Sequence, residues 1–192
     1  VDANGTYHFE LSKEDSIQQW NRYFKVRKDT ENQNPLKDFL PSRSPVLPTD
    51  SNTVLLHIKT AVINATAAPS IPRNYLRTIE WLIEQKHQVI LVGREECPKE
   101  FKQLGVIDYA NSPYASFEQD LLMFSACGFA ITAGSGIAFL PDCMGKPYLY
   151  LDSWHIPMQM PSERCISFPA RIKKRNTGEF LSMAQQRDLY LT

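Results

Sequence analysis

Apolar positions along the chain fall into short runs separated by stretches with a longer period. "TVLLHI" (53–58), "QVILV" (88–92), "VIDYA" (106–110), "FAIT" (129–132) and "YLYL" (148–151) read as buried strands. Between them, Leu76, Ile79, Leu82 and Ile83 recur at helical spacing behind Pro72, a residue suited to a first helical turn. Phe117, Leu121, Leu122 and Phe124 mark another helix, and a weaker one is predicted near 98–104. Strands alternating with helices imply an α/β domain: a Rossmann-like parallel sheet with helices on both faces. No internal repeat is present.

The first quarter of the chain is patterned differently. Ser12 stands three residues before Asp15 in a capping-box-like start, and Ile17, Trp20, Tyr23 and Phe24 follow on one helical face. From Thr30 to Asn52 the composition turns to Pro35, Pro41, Pro45 and Pro48 among polar residues, as in an extended connector or a strapped surface segment. Residues 1–50 are therefore expected to be a helix and Pro-rich connector, and 51–192 the main domain. The chain opens on Val1, which suits a processed or truncated piece of a longer protein.

Composition narrows the function. Twenty-one basic and twenty-one acidic side chains cancel, so no global field draws nucleic acid or an anionic membrane, and no nucleic-acid partner is expected. No apolar stretch has the roughly 18–20 residues that cross a bilayer, nor does the first segment resemble a signal peptide. Cys97, Cys127, Cys143 and Cys165 never form C-x-x-C, which points to free thiols in a reducing, cytoplasmic setting and to no zinc.

In parallel sheets ligands settle beyond the carboxyl ends of the strands, where strand order reverses. The exits here are rich in small and polar residues. Gly134-Ser135-Gly136 offers bare backbone amides, and a helix beginning at Gly136 would turn its unpaired N–H groups toward an anion, with Ser135 adding a hydroxyl. The spacing matches neither a P-loop nor G-x-G-x-x-G, and the same glycines also suit a tight turn made only for packing. Lys59, Arg73 and Arg94 are candidate cations for a diphosphate, and solvated surface charge is their bland alternative. His57 lies in an apolar strand, where a core role competes with a polar one, while His155 sits in a loop. Asp152 suits a sugar or ribose hydroxyl, or a turn cap. Tyr109, Tyr114 and Trp154 are candidates for stacking or for core packing. Glu118 and Asp120 read as first-turn acids that complement a helix dipole. Ser135 lacks a G-x-S-x-G elbow, which argues against a hydrolase triad.

The ordered set "VLLHIKTA", "IPRNYLRTIEWLIEQKHQVILVGR" and "VIDYANSPYASFEQDLLMFSACGFAITAGSGIAFLPDCMGKPYLYLDSW" resembles the nucleotide-sugar-binding, C-terminal half of a GT-B glycosyltransferase. The similarity is greatest to a bacterial family associated with surface-polysaccharide synthesis and spans about residues 10–185. Its strongest matches are Ile107-Asp108-Tyr109-Ala110, the Gly134-Ser135-Gly136 turn, and Gly145-Lys146-Pro147. The resemblance implies binding positions at Arg73, Asn74, Gly93 and Arg94. Where the family ends its first strand in a histidine-x-arginine-acid cluster, this chain has His57-Ile58-Lys59-Thr60, keeping the charge and losing the acid.

What the resemblance implies is transfer of a sugar from a nucleotide-sugar donor to a polysaccharide or lipid-linked acceptor. Donor-binding residues would be Lys59, Arg73, Asn74, Gly93, Arg94, Tyr109, Gly134, Ser135, Gly136 and Asp152, with His57 as the catalytic candidate near the leaving group. No D-x-D motif is present, so no metal and no cofactor are expected beyond the sugar nucleotide itself. A missing amino-terminal domain or a second subunit would bring the acceptor, in the cytoplasm or peripheral to the inner membrane. A non-catalytic nucleotide- or carbohydrate-binding module and a protein-binding scaffold are the alternatives.

Overall fold

The computed structural model describes residues 40, 44–60, 69–153 and 162–190. The expected helix over residues 12–24, Trp154 and His155 lie outside them.

The chain runs through β1 (Thr53–Leu56), a 3₁₀ turn (Pro72–Asn74), α1 (Leu76–Glu84), β2 (Gln88–Leu91), α2 (Lys99–Leu104), β3 (Ile107–Asp108) and α3 (Phe117–Ala126). It continues through β4 (Phe129–Ala133), a 3₁₀ turn (Gly136–Phe139), α4 (Leu140–Cys143), β5 (Tyr148–Ser153), β6 (Cys165–Pro169) and α5 (Met183–Tyr190). The six strands form one sheet in the order β3-β2-β1-β4-β5-β6, every pairing parallel. This is the Rossmann-like α/β architecture that the strand and helix alternation predicts. β6 and α5 were not among the predicted elements.

Strand pleating explains why continuous apolar runs are needed here. Leu55, Ile90 and Ala130 are in register and point to one face, where they pack with Met123 and Phe124 of α3 and with Leu140 of α4. Their neighbours Val54, Leu56, Val89, Leu91 and Ile131 point to the other, against Ile79 and Leu82 of α1 and Phe101 of α2. Both faces are dry, so alternation disappears from the sequence. Each fully buried Leu, Ile or Phe contributes roughly 1.5–3 kcal/mol.

The connector is strapped to this core. Val46 N–H donates to Gln119 Oε1 of α3 at 2.8 Å, while Leu40 and Leu47 pack against the α3 side of the sheet.

Candidate functional site

β1 and β4 are adjacent, yet the chain leaves β1 toward α1 on one face and β4 toward α4 on the other. The connections diverge, and a crevice opens between them. A cleft of about 690 Å³ occupies this position, within the range of small-molecule sites. Of the residues expected at the site, it is lined by His57, Lys59, Gly93, Arg94, Ser135 and Gly136.

His57 is fixed by the sheet itself. Its N–H donates to Ile131 O at 2.8 Å, and its carbonyl accepts from Ala133 N–H at 3.1 Å, which extends the β1–β4 ladder past the strand end. The ring is 4% exposed and lies 3.2 Å, Nε2 to Oγ, from Ser135. Among the described residues Nδ1 has no hydrogen-bond partner. Burial lowers the imidazole pKa to about 4 and Lys59 adds to the effect, against the opposing charge of Glu95 and the backbone of Ala133. At neutral pH the ring is uncharged. It suits a fixed polar contact and is a poor general base.

Gly93 has a reason other than ligand approach. Its φ is +100°, and a Cβ there would stand 2.8 Å from His57 Cδ2. The glycine makes room for the imidazole. Neither Gly134 nor Gly136 has a positive φ. A Cβ on Gly134 would make an ordinary 3.6 Å contact with Tyr150 Oη, and Gly134 does not line the cleft. A Cβ on Gly136 would meet nothing within 4 Å, and this residue does line it. The fold does not require glycine at 136; the open space beside it belongs to the cleft.

Gly136 starts a 3₁₀ turn of four residues followed by four residues of α-helix. Such short pieces carry little macrodipole, so attraction for an anion must come from full charges. Lys59 and Arg94 supply them. Lys59 is half-buried, and its backbone is locked to Ser70, which its carbonyl accepts from at 2.6 Å. Arg94 is exposed at the opposite rim. Arg73 and Asn74 are exposed in the 3₁₀ turn before α1 and do not line the cleft.

Two carboxylates enter the cleft that were not assigned to it from sequence. Glu95, one residue past Arg94, accepts at Oε2 from Thr60 N–H (3.0 Å) and Thr60 Oγ (2.6 Å). Thr60, standing where the resemblance would have an acid, thus holds an acid from the loop after β2. Asp120 is the second. Ser116 caps α3, accepting from Gln119 N–H at 3.2 Å, and this phase buries Asp120 while leaving Phe117 64% exposed. The expectation was the reverse. Burial raises the Asp120 pKa to about 7, with Arg94 opposing. A polar residue recurring in phase with Met123 and Phe124 was the available signal.

Tyr109 and Asp152 are placed away from the ligand space. Tyr109 is 1% exposed; its hydroxyl accepts from Ser116 N–H at 3.0 Å and lies near the Tyr114 and Ser116 carbonyls, bracing the 110–116 loop that walls the cleft. It has no free face for stacking. Asp152, at φ +56°, accepts from Tyr75 Oη, which also reaches Ser70. Tyr114 is exposed and does not line the cleft. Asp108 is tied to Lys102 at 2.9 Å and to Asn111 Nδ2 at 2.7 Å, and these contacts hold it below the usual carboxylate range although burial opposes them. Asn111 also reaches Glu95 O at 3.2 Å, joining the two loops of this wall.

Among the described residues no group of three or more His, Cys, Asp or Glu is arranged to hold a metal ion. Nor is any described helix long and apolar enough to cross a membrane.

No family model and no curated protein matches the chain. Among solved structures it is similar to the E. coli heptosyltransferase WaaC with ADP-2-deoxy-2-fluoro heptose, at 13% identity and a TM-score of 0.45. That similarity covers 81% of this chain and 44% of the other, so the chain spans less than half the length of the protein it matches.

Proposed function

We propose that the cleft binds a nucleotide-sugar diphosphate and that the domain is the donor half of a glycosyltransferase. The observation that carries this reading is the meeting of Lys59, Arg94, the Ser135 hydroxyl and the unfilled space at Gly136 in one hollow at the strand-order reversal. Two cations and a hydroxyl match an anion whose charge rises as the sugar leaves. In the reaction the acceptor oxygen bonds to the anomeric carbon, the bond from that carbon to the diphosphate breaks, and the nucleoside diphosphate departs. The acceptor's proton goes to a base, which the GT-B resemblance assigns to a companion domain or subunit. A polysaccharide or lipid-linked acceptor would place the work in the cytoplasm or at the inner membrane face.

Calorimetric titration with uridine, adenosine and guanosine diphosphates tests the cleft. Gly136→Val should abolish binding without destabilising the fold, and equal binding by both proteins would remove the cleft from consideration. Nucleoside diphosphate release from a sugar-nucleotide panel, with the companion present, tests turnover.

A non-catalytic binding module is the second reading. What favours it is the low basicity of His57, whose ring is within hydrogen-bond distance of Ser135. Tight binding without release in the presence of every acceptor tested would support it.

A further inference from the structure

Asp120 and Phe117 stand three residues apart on α3, hence on one helix face, and both line the cleft. They combine an apolar ring left 64% exposed with a carboxyl group that is 9% exposed. Oδ1 of that carboxyl has no hydrogen-bond partner among the described residues. A carboxyl group that lines a cleft and has no donor of its own among the described residues is a ready acceptor for a ligand there. An exposed aromatic face one helical turn away would cover a flat ring.

We infer that Asp120 and Phe117 form a subsite for the ring-bearing part of the ligand, the carboxylate accepting from N–H or O–H groups on the ring's edge while Phe117 lies against its face. This deepens the nucleotide-sugar reading and rests on it. Lys59, Arg94 and Gly136 take the diphosphate; Asp120 and Phe117 take a base or a sugar.

The carboxyl's proton gives the inference a sign. With burial raising its pKa to about 7, Asp120 keeps its proton in part of the molecules at neutral pH. Hydrogen bonds donated by a ligand stabilise the ionised form, so binding would expel a proton. An anion set against Asp120 would do the opposite and draw a proton in. The charged and titratable groups around it are Arg94 and Glu95 beyond β2, His57 and Lys59 beyond β1, Tyr109 beyond β3, Asp142 on α4, and Glu118 on its own helix. Arg94 is the one whose charge lowers the Asp120 pKa. His57, at about 4, stays neutral across the pH range used and contributes no proton.

The test is calorimetry of the full chain at pH 7 in buffers of differing ionisation enthalpy. The probes are inorganic pyrophosphate, uridine, adenosine and guanosine with their 5′-diphosphates, and glucose and mannose 1-phosphates. Nucleosides, which carry no phosphate to titrate, should release a fraction of a proton per site; the phosphate-bearing probes also give up protons of their own near neutral pH, so for them the Asp120 share is the difference from Asp120→Asn, and for pyrophosphate that difference should be zero. Asp120→Asn should abolish the release seen with nucleosides, reduce that seen with the ring-bearing phosphates, and weaken both about 10-fold. Phe117→Ala, at an exposed position, should weaken them several-fold with the proton count unchanged. Release with nucleosides that Asp120→Asn removes assigns the subsite to the nucleoside; Asp120-dependent release with sugar phosphates alone assigns it to the sugar. Binding of every ring-bearing ligand with no Asp120-dependent proton release overturns the inference, as does wild-type affinity and proton count in Asp120→Asn. If pyrophosphate and the diphosphates fail to bind while nucleosides or sugar phosphates still release a proton, the anion reading falls and this one stands. Failure of every probe overturns both.

Discussion

Two strand exits drew candidate residues from the same sequence logic, and they use their polar groups in opposite ways. At the β5 exit, Asp152, Tyr75 and Ser70 satisfy one another, and Ser70 in turn fixes the Lys59 backbone. At the β1–β4 exit, His57 Nδ1 and Asp120 Oδ1 lack partners among the described residues, and both side chains line a hollow. Native proteins rarely leave buried polar atoms unmatched. Where they do so beside a cavity, the missing partner is expected to come from a ligand. The first exit is architecture, and the second is the place to look for chemistry.

The sharpest way to break this contrast is to remove the cations from the second exit only. Lys59→Gln with Arg94→Gln should weaken nucleoside diphosphate binding on the order of 100-fold, about 3 kcal/mol, as two charge-assisted contacts are lost. The unfolding midpoint in urea should barely move, because Arg94 is exposed and glutamine keeps most of the Lys59 stem. Unchanged affinity in the double variant would mean that the hollow is not an anion site. Next in size is the glycine pair. Gly93→Ala should cost about 2–3 kcal/mol in urea unfolding, because a Cβ at φ +100° collides with His57. Gly136→Ala, which meets nothing, should stay within about 0.5 kcal/mol. Equal costs would show that the space at 136 is structural.

The same contrast explains what could be read from the chain before its fold was known. The sheet was legible because Val54–Leu56 and Val89–Leu91 are buried on both faces and so appear as unbroken apolar runs. The convergence of His57, Lys59, Gly93, Arg94, Ser135 and Gly136 followed from strand exits alone. Tyr109 and Asp152 were misplaced because their partners are set by packing: Tyr75 lies 77 residues from Asp152. Asp120 was missed for a local reason. An acid in a first helical turn is ordinarily solvated, and only the Ser116 cap, which fixes the helix phase, turns this one inward. β6 is as long as β4 but lacks its unbroken apolar run: Ser167 and Pro169 interrupt it, and its large apolar residues, Ile166 and Phe168, are exposed.

Acid titration separates the two unpartnered groups at the second exit. His57 is held neutral down to about pH 4, whereas an unfolded histidine takes its proton near 6.5. Between those values the unfolded state binds more protons, so this group's contribution is complete above about pH 6.5 and is lost as pH falls toward 4. Asp120 has the opposite sign. Its folded pKa near 7 exceeds the ordinary 3.8, so its contribution is complete below about 3.8 and is lost as pH rises toward 7. In the wild type the two slopes oppose each other between pH 4 and 6.5. Asp120→Asn should therefore uncover a stability that rises with pH across that window, relative to wild type, by on the order of 1–2 kcal/mol once solvent screening in the cleft is allowed for. Parallel pH profiles from urea melts of the two proteins would show that Asp120 titrates as it does in the unfolded chain.

The smallest expected effect belongs to the first exit and is the control for all the others. Tyr75→Phe removes the hydroxyl that bridges Asp152 and Ser70 while keeping the ring, which packs near Phe101 with centroids 6.4 Å apart. Asp152 is only half-buried, so water can replace the lost donor and the cost in thermal or urea unfolding should be about 1 kcal/mol. Ser70 retains its backbone bonds to Lys59, which keeps that cation in place. Nucleoside diphosphate affinity should accordingly stay within about 2-fold of wild type. A 10-fold loss of affinity at unchanged stability would mean that the bridge reaches the ligand through Lys59 or Asp152, and the β5 exit would then belong to the site after all.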